Sequence, residues 1–228
     1  MKYSAPAINR GGMTMDMKIR ISDQLIILWH TSIKVLRGYY KRLFLKECHG
    51  LFLVGRHVQI SHGNHIHCGK NVKFEDYSEI HGLCTEEIII GDNVTISRGV
   101  MIRPSSYYGK DCGVGLVIGS HSSFGPYCFI GCSGKIVIGE NVMFGPKCSL
   151  FAENHVFSDI NRTIKSQGVN NKGIIVEDDC WIGSNVVILD GVRIGRGSVI
   201  GAGTLISKDI PAGSIILDQR QKLIRRRG

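Results

Sequence analysis

Ile182-Gly183-Ser184-Asn185-Val186-Val187-Ile188-Leu189-Asp190-Gly191-Val192-Arg193-Ile194-Gly195-Arg196-Gly197-Ser198-Val199-Ile200 sets an isoleucine at every sixth position. The series reaches back to Val176 and forward to Ile206, and the slot four after each holds Cys180, Val186, Val192, Ser198, Thr204 or Ile210. A period of six fits neither the 3.6-residue turn of a helix nor the two-sided alternation of a strand. It fits a chain that turns a corner every six residues and points one apolar side chain inward each time. A fixed internal period decides architecture before any local propensity does.

The rhythm continues backwards through the chain. Ile90, Ile96 and Ile102 form one set, Ile118, Phe124 and Ile130 a second, and Ile138, Phe144 and Leu150 a third. Val54, Ile60, Ile66 and Val72 carry the same spacing earlier, with Ser78 and Cys84 in the slots between. Phase is lost after Ile102, Ile130 and Leu150, each time on completing three hexads. Three hexads therefore close one triangular turn, and insertions leave from one corner. The expected fold is all-β: a parallel solenoid of about seven coils, stacked roughly 4.8 Å apart.

Composition agrees with one cytoplasmic unit. The chain has 228 residues, 43% hydrophobic, enough for one substantial core. Its 29 glycines suit tight corners. No apolar run approaches the ~20 residues that span a bilayer, and Met1 to Arg20 does not read as a secretory leader. Cys128, Cys148 and Cys180 occupy the slot four after Phe124, Phe144 and Val176, so the eight cysteines read as reduced packing groups. The formal charge of +9 admits nucleic acid, anionic lipid or a phosphorylated cofactor, but there is no aromatic-interleaved basic patch that would stack bases. No nucleic-acid role is expected.

Three regions follow. Residues 1–50 read as an irregular arm and an amphipathic helix, with Ser22 or Asp23 as N-cap. Residues 51–210 read as the solenoid, with insertions at about 103–117 and 151–175, and residues 211–228 as a basic tail. Within the helix, Leu25, Leu28, Trp29, Ile33, Leu36, Tyr39, Tyr40 and Leu43 recur at helical spacing beside Lys34, Arg37, Lys41 and Arg42. Such a helix can cap the open end of a solenoid, or residues 22–47 can rest on an anionic membrane at its inner face. The two insertions share a corner, and loops on a rigid scaffold are where function concentrates. Tyr107, Tyr108 and Asp111 lie in the first; Glu153, His155 and Asp159 lie in the second.

The hexad Ile90-Gly91-Asp92-Asn93-Val94-Thr95 resembles the left-handed β-helix of hexapeptide-repeat acyltransferases. Handedness comes from that resemblance alone, since most parallel crossovers are right-handed. Asn154-His155-Val156-Phe157, Gln167-Gly168 and Trp181-Ile182-Gly183 resemble O-acetyltransferases of the galactoside, maltose and xenobiotic type, and more closely those that acetylate capsule and lipopolysaccharide sugars. The resemblance implies acetyl-coenzyme A as donor, a glycan acceptor, no metal, a homotrimer, and direct transfer with His155 as general base. Histidine suits that task because its ordinary pKa of ~6.5 leaves it mostly neutral near pH 7. Glu153 or Asp159, or a backbone carbonyl, could orient its ring.

By the same resemblance, Trp181 lies near the thioester, Ser184 and Ala202 hold the pantetheine amides, and Ser207 and Lys208 meet the coenzyme phosphates. The tail departs from the family: Lys222 and Arg225 match as phosphate partners, but the usual glycine and proline are absent. Alternatives remain. N-acetylation of an amino sugar, or acetylation of serine, uses the same donor. A trimeric binding or scaffold protein would keep the fold without the chemistry. His62, His65 and His67 raise a zinc lyase, which would need three convergent imidazoles.

Overall fold

The structure, a computed structural model, describes residues 20–104 and 112–218. It is a left-handed parallel β-helix whose short strands stack into three sheets, of seven, eight and seven strands. We call these faces A, B and C. Face A runs from Glu47–Cys48 to Arg193–Ile194, face B from Phe52–Val54 to Ile215–Ile216, and face C from Gln59–Ser61 to Leu205–Ile206. In each coil the chain passes A, then B, then C.

The inward residues stack on themselves from coil to coil. Phe144, Ile182 and Ile200 fall in one column on face B, and Leu150, Ile188 and Ile206 in one on face C. Nearly all are fully buried, and Phe124 and Phe144 stack with ring centroids 4.5 Å apart. The slot four after the primary residue is mostly small, and at Ser198 and Thr204 the corner satisfies its hydroxyl. Ser198 Oγ donates to the Gly195 carbonyl at 2.7 Å, and Thr204 Oγ1 to that of Gly201 at 2.7 Å. Cys148 Sγ lies 3.1 Å from the Gly183 oxygen. Burial pushes the Cys132 thiol well above its ordinary value, so it packs as a neutral group. Corners need left-handed backbone, and Asn71, Asn93, Asn141, Asp179 and Asn185 supply it. These side chains tolerate that region better than most.

Registers correct the phase expected for the first coils. Phe74, not Val72, aligns with Ile96, and Ile80, not Ser78, aligns with Ile102. Val72 and Ser78 are buried as well, but in the second inward slot. The cause is a 3-10 turn, Gly63–His65, which adds residues between faces C and A. The insertions following Met101–Arg103 and Ser149–Phe151 leave from that same C–A corner.

Helix α1, Ile21–Lys41, starts after Arg20, and no side chain caps it. The cap expected from Ser22 or Asp23 is therefore not made. Its C-terminal half packs on Phe52–Val54, the edge strand of face B, and covers the outward Leu53. Covering an edge strand removes a template for unwanted pairing. Contact is close because residue 38 is glycine: a Cβ there would overlap the Phe52 carbonyl. Lys34 pairs with Glu75 in the next coil. Among the described residues no helix is long and apolar enough to cross a membrane.

Replacing Gly38 by Ala forces the helix off this strand. We expect a loss of about 2 kcal/mol, the range of a backbone clash at a packed site, read as a lowered melting temperature by calorimetry. An unchanged melting temperature would show that the helix does not sit against Phe52.

Candidate functional site

The second insertion is a pinned hairpin. Asn154–His155 pairs antiparallel with Val169–Asn170, with His155 opposite Val169, and the Val156 amide donates to the Gly168 carbonyl at 3.0 Å. At the tip, the Gln167 side chain accepts from the Asp159 amide at 3.0 Å and donates to the Asp159 and Arg162 carbonyls. The Asp159 carboxylate accepts from the Asn161 amide at 3.0 Å, so it builds the turn. Glu153 sits half-buried at the foot.

The base is tied to neighbouring coils. Gly134 N donates to the Ala152 carbonyl at 2.9 Å, and Asn171 Nδ2 to that of Ser133 at 3.1 Å. Asp190, at the same corner one coil later, accepts from the Lys172 and Gly173 amides, each at 2.8 Å. Asp190 is not among the candidates named from the sequence. Its signal was the Asp190-Gly191 pair in an otherwise regular hexad. This anchoring holds His155 exposed on a short strand instead of a loose loop.

The remaining candidates fall into two groups. Ser207 and Lys208 are exposed at the C–A corner, the hairpin's own corner, two coil steps further along. Trp181 points outward from face B, 55% exposed, in the column Met143–Trp181–Val199. Ser184 and Ala202 sit one coil apart at the B–C corner, where the Ser184 carbonyl accepts the Gly203 amide at 2.8 Å. A Cβ on Gly183 would come within 2.7 Å of the Ala202 nitrogen, so coils stack there backbone on backbone.

In a triangular coil, face B is the side opposite the C–A corner. One chain therefore brings Ser207 and Lys208 to the corner of His155, but keeps Trp181 on the opposite side. Tyr107, Tyr108, Asp111, Lys222 and Arg225 lie outside the described residues.

Of the early histidines, His67 and His62 have separate surroundings. His67 lies between Glu47 at 3.1 Å and Glu87 at 2.7 Å. His62 packs on His81, with ring centroids 5.0 Å apart. Lys46 and His67 together hold the Glu87 carboxyl below its ordinary value. Among the described residues, no group of three or more His, Cys, Asp or Glu is placed to hold a metal ion.

Replacing Asp190 by Ala removes two hydrogen bonds from the hairpin's returning strand while leaving the core columns intact. Hydrogen exchange at residues 169–173 should speed up by roughly tenfold or more, the effect of losing about 1–3 kcal/mol of charged hydrogen bonding. Unaltered exchange there would mean that the hairpin is held by other contacts.

Residues 173–208 match the family model described as bacterial transferase hexapeptide (six repeats). A 52-residue stretch is 44% identical to 2,3,4,5-tetrahydropyridine-2,6-dicarboxylate N-acetyltransferase of Staphylococcus aureus strain JH9. That match covers 23% of this chain and 22% of the relative, so the chain spans about a fifth of the length of the curated relatives it matches. Among solved structures, AntD of Bacillus cereus superposes with a TM-score of 0.50 at 16% identity, over 84% of this chain and 90% of that one. AntD is an N-acyltransferase, crystallised as a point mutant with dTDP-4-amino-4,6-dideoxyglucose and coenzyme A. The polySia-specific acetyltransferase NeuO aligns with a TM-score of 0.41 at 25% identity, over 80% of this chain and 78% of its own. The matched residues 173–208 include Trp181, Ser184, Ala202, Ser207 and Lys208, and the chain carries them on a left-handed parallel β-helix.

Proposed function

We propose that this protein transfers an acetyl group from acetyl-coenzyme A directly to a hydroxyl of a surface polysaccharide or its precursor. The observation that carries this reading is His155, held exposed on a hairpin that neighbouring coils pin at its base. The transferase-repeat match over residues 173–208 supports the donor. So does coenzyme A bound to AntD on the same fold.

In the proposed step, neutral His155 accepts the proton of the acceptor hydroxyl as its oxygen attacks the thioester carbonyl. The tetrahedral adduct collapses, the C–S bond breaks, and the coenzyme leaves as a thiol carrying the proton from the imidazolium. Ester and thiol are the products, with no acyl-enzyme. Trp181, Ser184 and Ala202 would line the pantetheine arm, with Ser207 and Lys208, and Lys222 and Arg225 of the tail, toward the phosphates. Tyr107, Tyr108, Asp111, Glu153 and Asp159 are proposed for the acceptor side.

The site would be shared between protomers. Since His155 and Trp181 occupy opposite sides of one coil, a neighbouring chain must bring its own face B to this hairpin, and a homotrimer does so three times. The proposed setting is the cytoplasm, where the donor is made, at the inner face of a membrane. N-acetylation of an amino sugar is the second reading, favoured by the 44% match to an N-acetyltransferase.

His155→Ala should lower kcat by roughly 10²–10⁴ with assembly intact, the contribution of a general base. Near-normal turnover would remove His155 from the chemistry. Mixing refolded His155→Ala and Ala202→Trp chains, each inactive alone, should restore activity, because some interfaces then pair two intact halves. No recovery despite mixed assembly would place the site within one chain. Products made on paired hydroxy and amino sugars separate the two readings: hydroxylamine releases acetyl from an ester and not from an amide.

A further inference from the structure

Helix α1 carries an exposed apolar stripe, whose C-terminal members Leu36 and Tyr40 also border an open cleft against Val54, Gly55, His57 and Val58 of the first coil. Gly38 marks the contact side, the only position of the helix that is fully buried. At 100° per residue, Leu25, Trp29, Leu36 and Tyr40 all fall on the opposite half, and Leu43 in the following turn continues the line. They are 61, 67, 69, 62 and 76% exposed. The stripe extends about 27 Å at 1.5 Å per residue. A surface helix normally does the reverse, burying its apolar face and wetting the polar one.

Charge identifies what covers the stripe. From residue 20 to residue 46 the cations are Arg20, Lys34, Arg37, Lys41, Arg42 and Lys46, against the single acid Asp23. Lys34 and Lys46 are paired with Glu75 and Glu87 of the solenoid; Arg37, 100° round the helix from Gly38, stands on the flank of the stripe, and Lys41, at 60°, on the solenoid side. Arg37 also lines a cleft of about 170 Å³ between helix and solenoid, where Arg56 adds a cation from the B–C corner beside Asp76. A surface of anionic phospholipid matches both features, since it offers acyl chains to the stripe and phosphates to its flank. Trp29, Tyr39 and Tyr40 suit the headgroup level, where amphipathic rings collect.

We propose that α1 lies in the plane of an anionic phospholipid bilayer, with Leu25, Trp29, Leu36, Tyr40 and Leu43 in the headgroup–acyl boundary and Arg37 on phosphates. This deepens the peripheral placement proposed above and rests on that placement alone, not on the acyl chemistry. The solenoid then hangs from the membrane by its first coil, with the His155 hairpin several coils away.

The test is flotation of the full-length protein with vesicles of equal parts phosphatidylglycerol and phosphatidylcholine, or of phosphatidylcholine alone. Binding is expected to the anionic vesicles and to weaken with salt. In Trp181→Phe protein, Trp29 is the single tryptophan, and its emission should shift to the blue on binding. The pair Leu25→Gln and Leu36→Gln should keep the melting temperature and lose tenfold or more in partitioning, because two leucines no longer leave water. His155→Ala protein should float as the wild type does, so failure of the acyl reading is seen separately. Absence of vesicle binding by the wild type, equal binding to both vesicles, or undiminished binding by the glutamine pair would overturn the proposal. A smaller oligomer for the glutamine pair, without wild-type vesicle binding, would assign the stripe to contact between copies.

Discussion

Each coil is hydrogen-bonded to the next along three faces, and a residue can be added only where that ladder makes no demand. On the faces, the amide of one coil meets the carbonyl of the next in strict register, as Trp181 N meets Ser198 O at 3.0 Å and Gly183 N meets Ile200 O at 2.7 Å. An extra residue there would break bonds in a sheet and turn apolar side chains outward. Added residues must leave at corners. In this chain they leave at one, C–A, from the short turn at Gly63–His65 to the hairpin carrying His155.

That restriction shapes the chemistry. The hairpin inherits the rigidity of the ladder below it through Asp190, Asn171 and Ala152. Its position also keeps His155 away from its own chain's Trp181, which the triangular cross-section holds on the opposite side. The proposed site, which needs both, would therefore lie between subunits, with the outward side chains of face B turned to the neighbouring hairpin.

Legibility followed the range of the forces involved. The hexads at Val176–Ile206 were readable because inward-facing isoleucine is a local requirement repeated at fixed spacing. The first coils were misphased because both inward slots are buried, so Val72 and Phe74 look alike as core residues until Phe74 is seen beside Ile96. The start of α1 was displaced because Arg20 precedes it with no side-chain cap. Asp190 went unnoticed because its partners, Lys172 and Gly173, lie across a coil step. His155 was legible as a histidine in a long interruption, but not as one on a pinned strand.

By itself the sequence determined a triangular solenoid, its inward columns from Ile90 onward, and the two long interruptions, since each follows from periodicity along the chain. Only the tertiary structure decided that the short turn at Gly63–His65 exits at the same corner as the two insertions, that Trp181 faces away from it, and that α1 leaves its apolar stripe exposed. Those depend on which coil lies beside which and on where Gly38 lets the helix touch. Such relations between distant residues leave no period to read.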